Sequence, residues 1–180
     1  PLTRIDINTS AGILRTRREI RATHTIVDWS QRTSTGNLLF RSVFDHLVED
    51  PEFTLLTAHL PQPLNTTGRV LFVIPPNAEA ERAFQATSKT VKLLAGHLNA
   101  PIHVVAERSQ QDGLKKRLQQ VSPKNVDVHA QPLEQWESAL QSLVDNHREG
   151  DLLVFYGVRK GGLAWRGDLE HLLDQVAQRF

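Results

Sequence analysis

The stretch from Tyr156 to Asp168, "YGVRKGGLAWRGD", holds the residues best suited to chemistry in this chain: Gly157, Gly161 and Gly162 set around the adjacent cations Arg159 and Lys160. Glycines let backbone amides approach an anion, arginine forks onto a phosphate with two hydrogen bonds, and lysine adds a point charge. The chemistry on offer is phosphate capture. The competing use of the same letters is conformational: the glycines supply positive φ angles while the cations face water. A second turn, "IPPNAEAE", follows the apolar run ending at Ile74, and its Pro75, Pro76 and Asn77 are candidates for the wall opposite the glycine loop.

Other chemistry is scarce. No cysteine occurs in the 180 residues, which excludes disulfides, thiolate metal sites and cysteine nucleophiles. The eight histidines form no i, i+4 pair and no HExxH, so no metal site is expected, and His103 and His129 are expected to pack or meet solvent. No GxSxG is present, and the carboxylates Glu79, Glu81, Glu134, Glu137, Asp145 and Glu149 are read as lying on polar helical faces. An enzyme is therefore not expected. Asn65-Thr66-Thr67 fits a glycosylation acceptor but reads as an Asn-led turn before a strand. Twenty-one basic against twenty acidic side chains leave a formal charge of +1, which argues against a nucleic-acid partner. The longest apolar runs, "VLFVI" and "LLVFY", fall far short of the roughly 20 residues that cross a bilayer. No methionine occurs, even at position 1, as expected of a piece of a longer chain.

The elements that must position the loop can be read from hydrophobic period. Residues 1–22 carry five arginines with little period; the cluster "RTRREIR" is suited to anionic lipid head groups, but Glu19 interrupts it, and a basic linker, a solvated tether, is expected. "HTIVDW" is strand-like, Leu39, Val43, Phe44, Leu47 and Val48 share a helical face, and "FTLLTAHL" is strand-like again. After "PQPLNTTG" come the strand "RVLFVI", a helix expected over 78–98, the strand "PIHVVA" and a helix marked by Leu114, Leu118 and Val121. The strand "NVDVHA" follows, then a helix from Leu133 to His147, the strand "DLLVFY", expected to be the most buried, and a last helix from Trp165 onward. Continuous apolar strands separated by helices predict a three-layer α/β sandwich with a mostly parallel sheet. In such sheets ligands lie beyond the carboxyl ends of strands, where helix starts attract anions, and both candidate turns fall there.

"DLLVFYGVRKGGLAWRGDLEHLLDQVAQRF" resembles the last strand, glycine loop and last helix of a universal stress protein domain, and "HTIVDWSQRTSTGNLLFRSVFDHLVEDPEFTLLTAHL" resembles the same element again with its closing strand. "LLFRSVFDHLV", "LPQPLNTTGRVLFVIPPNAEAERAF" and "VRKGGLAW" together resemble the cytoplasmic tail of bacterial cation:proton (sodium/hydrogen) antiporters, whose paired stress-protein-like domains follow the membrane bundle. The resemblance implies a Rossmann-like fold of the adenine nucleotide alpha hydrolase type. It implies a strand-helix-strand remnant of a first domain at 23–60 and a second domain at 61–180 lacking its last strand. It further implies a regulatory cytoplasmic domain of an inner-membrane protein, sensing ATP, ADP, AMP or a similar small ligand and modulating transport. The membrane transport domain of the same polypeptide and a second copy, in a homodimer, are the implied partners. The alternative on the same resemblance is a structural dimerisation module with a vestigial nucleotide cradle.

The sequence departs from the family's phosphate pattern in both copies. Gly167 is followed by Asp168 where serine or threonine is usual; an aspartate there would repel phosphate, and its other use is to cap the last helix. In the first copy Gly36 stands alone and Arg41 fills the space of the usual glycine, so that copy is not expected to bind. The strand at Phe53 to Leu60 is expected to join the main sheet or to pair across a two-fold axis, because the edge beside "DLLVFY" would otherwise be open.

Overall fold

The computed structural model describes residues 6, 8–28, 47, 54–58, 60, 62–159, 161–168, 172, 175, 176 and 179. It divides into an N-terminal unit, residues 1–59, and a C-terminal unit, residues 60–180.

In the N-terminal unit the segment expected to be a tether carries a helix, α1 (Thr9–Ile20). Caps rather than hydrophobic period account for it. The Asn8 side chain accepts a hydrogen bond from the Ala11 amide at 2.8 Å. At the other end Arg21 takes the left-handed conformation, and the Ala22 amide returns to the Arg17 carbonyl at 3.0 Å. Arg17 and Arg18 lie in the last turn, where cations complement the helix dipole. Strand β1 (His24–Asp28) pairs in parallel with β2 (Thr54–Ala58), His24 opposite Thr54 and Asp28 opposite Ala58. The expectation that Phe53 to Leu60 joins the main sheet is thereby corrected: β2 finds its partner in β1, in a separate two-stranded sheet. Parallel neighbours need a crossover, and the helix expected there lies outside the described residues except Leu47, which is helical and fully buried. Gly36 and Arg41 also lie outside them.

The C-terminal unit is built on strand β3 (Arg69–Val73), four of whose five residues are buried. Helix α2 (Phe84–Leu98), strand β4 (Ile102–Glu107), helix α3 (Arg108–Gln120), strand β5 (Val128–Leu133), helix α4 (Ala139–Asn146) and strand β6 (Asp151–Phe155) follow. Asp168, Leu172, Gln175, Val176 and Arg179 are helical positions of a final helix. The sheet runs β5-β4-β3-β6 and every pairing is parallel. Helices cover both faces. Val70, Phe72, Ile102 and Val104 pack with Val91 and Ala95 of α2 and Leu114 and Leu118 of α3. Leu71, Val73, Val105 and Leu133 pack with Ala139 and Leu143 of α4 and with Leu172 and Val176. The expected α/β architecture is the one observed.

Three local expectations are corrected. The helix expected from Ala78 starts at Phe84, because Pro75 and Pro76 feed a left-handed Asn77 and a single 3-10 turn, Ala78–Ala80. Glu81 therefore lies in a loop and not on a helical face. β5 extends through Pro132 to Leu133, so the next helix begins later than Leu133; proline lacks a ladder donor and is tolerated on an edge strand such as this one. β6 is half-buried along its length, whereas β3 is the most buried strand, because among the described residues β6 has a neighbour on one side alone.

Two polar anchors set the frame. Arg69 and Asp151, opposite each other on β3 and β6, form a two-pronged pair at 2.6 and 2.8 Å, and Arg69 also donates to the Asn146 carbonyl. Lys92, fully buried on α2, donates to the carbonyls of Leu118 and Val121 and so closes the end of α3.

Candidate functional site

The carboxyl ends of β3 and β6 are neighbours, with Val73 opposite Phe155, so the Pro-Pro-Asn turn and the glycine loop face one region as expected. The Tyr156 amide donates to the Val73 carbonyl at 2.9 Å and carries the pairing one residue into the loop. From there the chain makes two consecutive turns. The Gly162 amide returns to the Arg159 carbonyl at 2.9 Å, and the Trp165 amide returns to the Gly162 carbonyl at 3.2 Å. Gly161 has φ +84, which requires glycine at the second corner of the first turn. Lys160, the other corner, lies outside the described residues.

This hydrogen bonding uses three of the amides that the loop could offer an anion. A phosphate cradle needs amides that point outward, but the Gly162 and Trp165 amides are spent inside the loop. The Ala164 amide is taken as well. It donates at 2.9 Å to Oε1 of Glu81, the residue that follows the 3-10 turn Ala78–Ala80. The same carboxylate oxygen lies only 2.7 Å from where a Cβ on Gly162 would stand. The protein has thus placed its own anion against the glycine loop.

Side chains that follow β3 and β6 are buried together. Ala78, Phe84, Tyr156 and Ala164 are all buried in one cluster, and the rings of Phe84 and Tyr156 lie 5.5 Å apart. Burial, reinforced by the nearby Glu81 charge, pushes the Tyr156 hydroxyl up to about 12. Of the predicted residues, Pro75 is buried, Pro76, Arg159 and Gly162 are half-buried, and Asn77, Gly157 and Gly161 are exposed. The structure brings Gly162 to the Pro75–Asn77 side of the sheet through Glu81.

A second acid ties the loop to β5. Arg166 donates to Glu137 at 2.7 Å and to Asp168 at 3.0 Å. Glu137 belongs to the 3-10 turn Trp136–Ser138, so this contact joins the loop after β6 to the loop after β5. The Asp168 hydrogen bond, opposed in part by burial, raises the Arg166 guanidinium further above its usual range. Hydrogen bonding from its own amide, then from Arg166, holds the Glu137 carboxyl below the ordinary carboxylate value. Asp168, considered as a cap, has its carboxylate engaged by Arg166. Glu81 and Glu137, expected on polar helical faces, lie instead in a loop and a 3-10 turn, and Arg166 was not singled out by sequence. Their one signal is position, each falling in the segment that follows a strand's carboxyl end.

Among the described residues no group of three histidine or acidic side chains is arranged to hold a metal ion. His103 and His129 are register partners on β4 and β5 with ring centres 4.9 Å apart, one half-buried and the other exposed. Burial, and then the Arg69 charge, pushes the His103 imidazole below its usual range. No described helix is long and apolar enough to cross a membrane. No family model, no curated protein and no solved structure matches the chain.

Proposed function

We propose that the chain is an accessory domain of a cation:proton antiporter, of universal stress protein type, whose nucleotide cradle is closed from within. The strand order β5-β4-β3-β6 with a glycine loop after β6 supports the stress-protein reading. So does a parallel strand pair, β1 and β2, placed ahead of the four-stranded unit in the order that the resemblance implies. The observation that carries the closed cradle is the Glu81 carboxylate on the Ala164 amide. A bound phosphate would compete with that carboxylate for the same donor and would meet its negative charge. The domain then works through protein contact, by regulating or holding together the transport bundle as part of a dimer, and not by loading ATP, ADP or AMP.

The test uses the complete gene in cells stripped of their own sodium/proton antiporters. Restored salt tolerance, with altered pH or ion dependence once residues 23–180 are deleted, is the expected result. Full-length protein with no transport activity in everted vesicles would sink the antiporter assignment. A nucleotide that raises the melting temperature of the isolated chain would sink the closed cradle, since a ligand specific for the folded state must stabilise it.

A further inference from the structure

The whole chain is nearly neutral, yet α1 and its cap concentrate Arg15, Arg17, Arg18 and Arg21 within seven residues that include Glu19, with Asp6 paired to Arg15 at 3.5 Å. The helix end holds them in place. Arg21 is fixed in the left-handed cap, and Arg17 Nε donates to the Ala22 carbonyl at 3.3 Å. Arg17, Arg18 and Arg21 consequently border one open recess of about 450 Å³, completed by Ala22 and Thr23. A second recess, about 690 Å³, adjoins it through the shared Arg17 and Ala22, and its lining includes Ile13 and Ile20. No residue of α1 is buried, and Ile20 is 60% exposed. A cationic recess therefore lies beside one whose wall holds Ile13 and Ile20 together with Asp6, on a helix whose Ile13 is half-buried and whose Ile20 is exposed.

The order of these two recesses selects the partner. A nucleic acid or a free phosphate would use the arginines and gain nothing from Ile13 and Ile20. An anionic phospholipid carries a phosphate beside an apolar glycerol and acyl region, which matches both recesses at once. We propose that α1 docks the N-terminal unit onto an anionic bilayer surface. Arg17, Arg18 and Arg21 take headgroup phosphates there, while Ile13 and Ile20 lie against the first carbons of the chains. Attraction of this kind is reversible and is screened by salt, because each arginine near the surface strengthens binding by about fivefold and acts within a Debye length. The inference stands on the N-terminal unit and does not depend on the state of the glycine loop.

Co-sedimentation of the whole chain with lipid vesicles tests it. Phosphatidylcholine vesicles containing roughly one third phosphatidylglycerol should retain the protein at low salt and release it at high salt, and pure phosphatidylcholine should not retain it. The double variant Arg18→Glu/Arg21→Glu should bind at least about twentyfold more weakly. Ile20→Ser should weaken binding several-fold while leaving far-UV circular dichroism unchanged. Should the charge reversal disturb folding, Arg18→Gln/Arg21→Gln serves in its place. Equal retention on uncharged vesicles, indifference to both substitutions, or capture by heparin or RNA that Ile20→Ser leaves untouched would each overturn the assignment to a bilayer.

Discussion

Glu81 and Ala164 are 83 positions apart in sequence, yet the Glu81 carboxylate accepts the Ala164 amide at 2.9 Å and fixes the loop after β3 to the loop after β6. An amide so placed in a parallel α/β sheet is where an anionic ligand would be sought. Here the anion is a side chain of the protein.

The first consequence concerns Gly162. A methyl group there would stand 2.7 Å from Glu81 Oε1, 2.8 Å from Val158 Cγ1 and 3.1 Å from the Arg159 carbonyl. Gly162→Ala should destabilise the fold by about 1–3 kcal/mol. Glu81→Ala should cost a similar amount, about 1–3 kcal/mol, by leaving the Ala164 amide without its partner. Because the two residues share one contact, the double variant should lose less than the sum, as urea unfolding of the four proteins would reveal. Strict additivity would mean that the carboxylate does not rest against Gly162.

A second prediction addresses the Arg69–Asp151 pair, whose side chains are 11% and 2% exposed. Removing one member of a buried pair leaves an uncompensated charge, so Asp151→Ala should cost about 3–5 kcal/mol in chemical denaturation. A loss below about 1 kcal/mol would match an exposed surface bridge and contradict the burial.

Lys92 gives a third. Lys92→Met keeps the apolar stem but leaves the Leu118 and Val121 carbonyls without their donor, at an expected cost of about 1–3 kcal/mol. Burial, with Lys124 nearby, also lowers the Lys92 ammonium below its ordinary 10.5. The unfolded chain then binds the extra proton in the window just under that value, so the Lys92 contribution to stability rises with pH there. Lys92→Met should remove that rise.

Tyr156 supplies the opposite slope. Its hydroxyl, pushed from 10.0 to about 12, stays protonated in the folded protein after the unfolded chain has begun to lose the proton. The contribution is complete below pH 10 and is lost as pH climbs toward 12. Tyr156→Phe should flatten this part of the stability profile, and an unchanged profile would argue that the ring is not buried beside Phe84.

The strands were legible because parallel strands covered on both faces are written as unbroken apolar runs, as in "RVLFV" and "DLLVF". The end of β5 was hidden by Pro132, an edge-strand exception, and α1 was hidden because its caps and charges carry no hydrophobic period. The site was legible as a pair of loops but not as a contact. Gly161 has the positive φ that its position suggested. Nothing local, however, distinguishes the Glu81 that crosses to Ala164 from the Glu79 two residues before it, because that choice is made by where β3 and β6 end. Hydrophobic period reports which face a residue takes, and a carboxylate reaching between loops leaves no trace in it.

The most direct measurement of the closed cradle is a calorimetric titration of ATP into the wild-type chain and into Glu81→Gln, a variant that keeps the acceptor oxygen but removes the charge. The closed cradle predicts no saturable heat for the wild type up to about 1 mM nucleotide, a ceiling equivalent to roughly 4 kcal/mol of binding. Saturable one-to-one binding by the wild type in the micromolar range, weakened by Arg159→Ala and indifferent to Glu81→Gln, would contradict it.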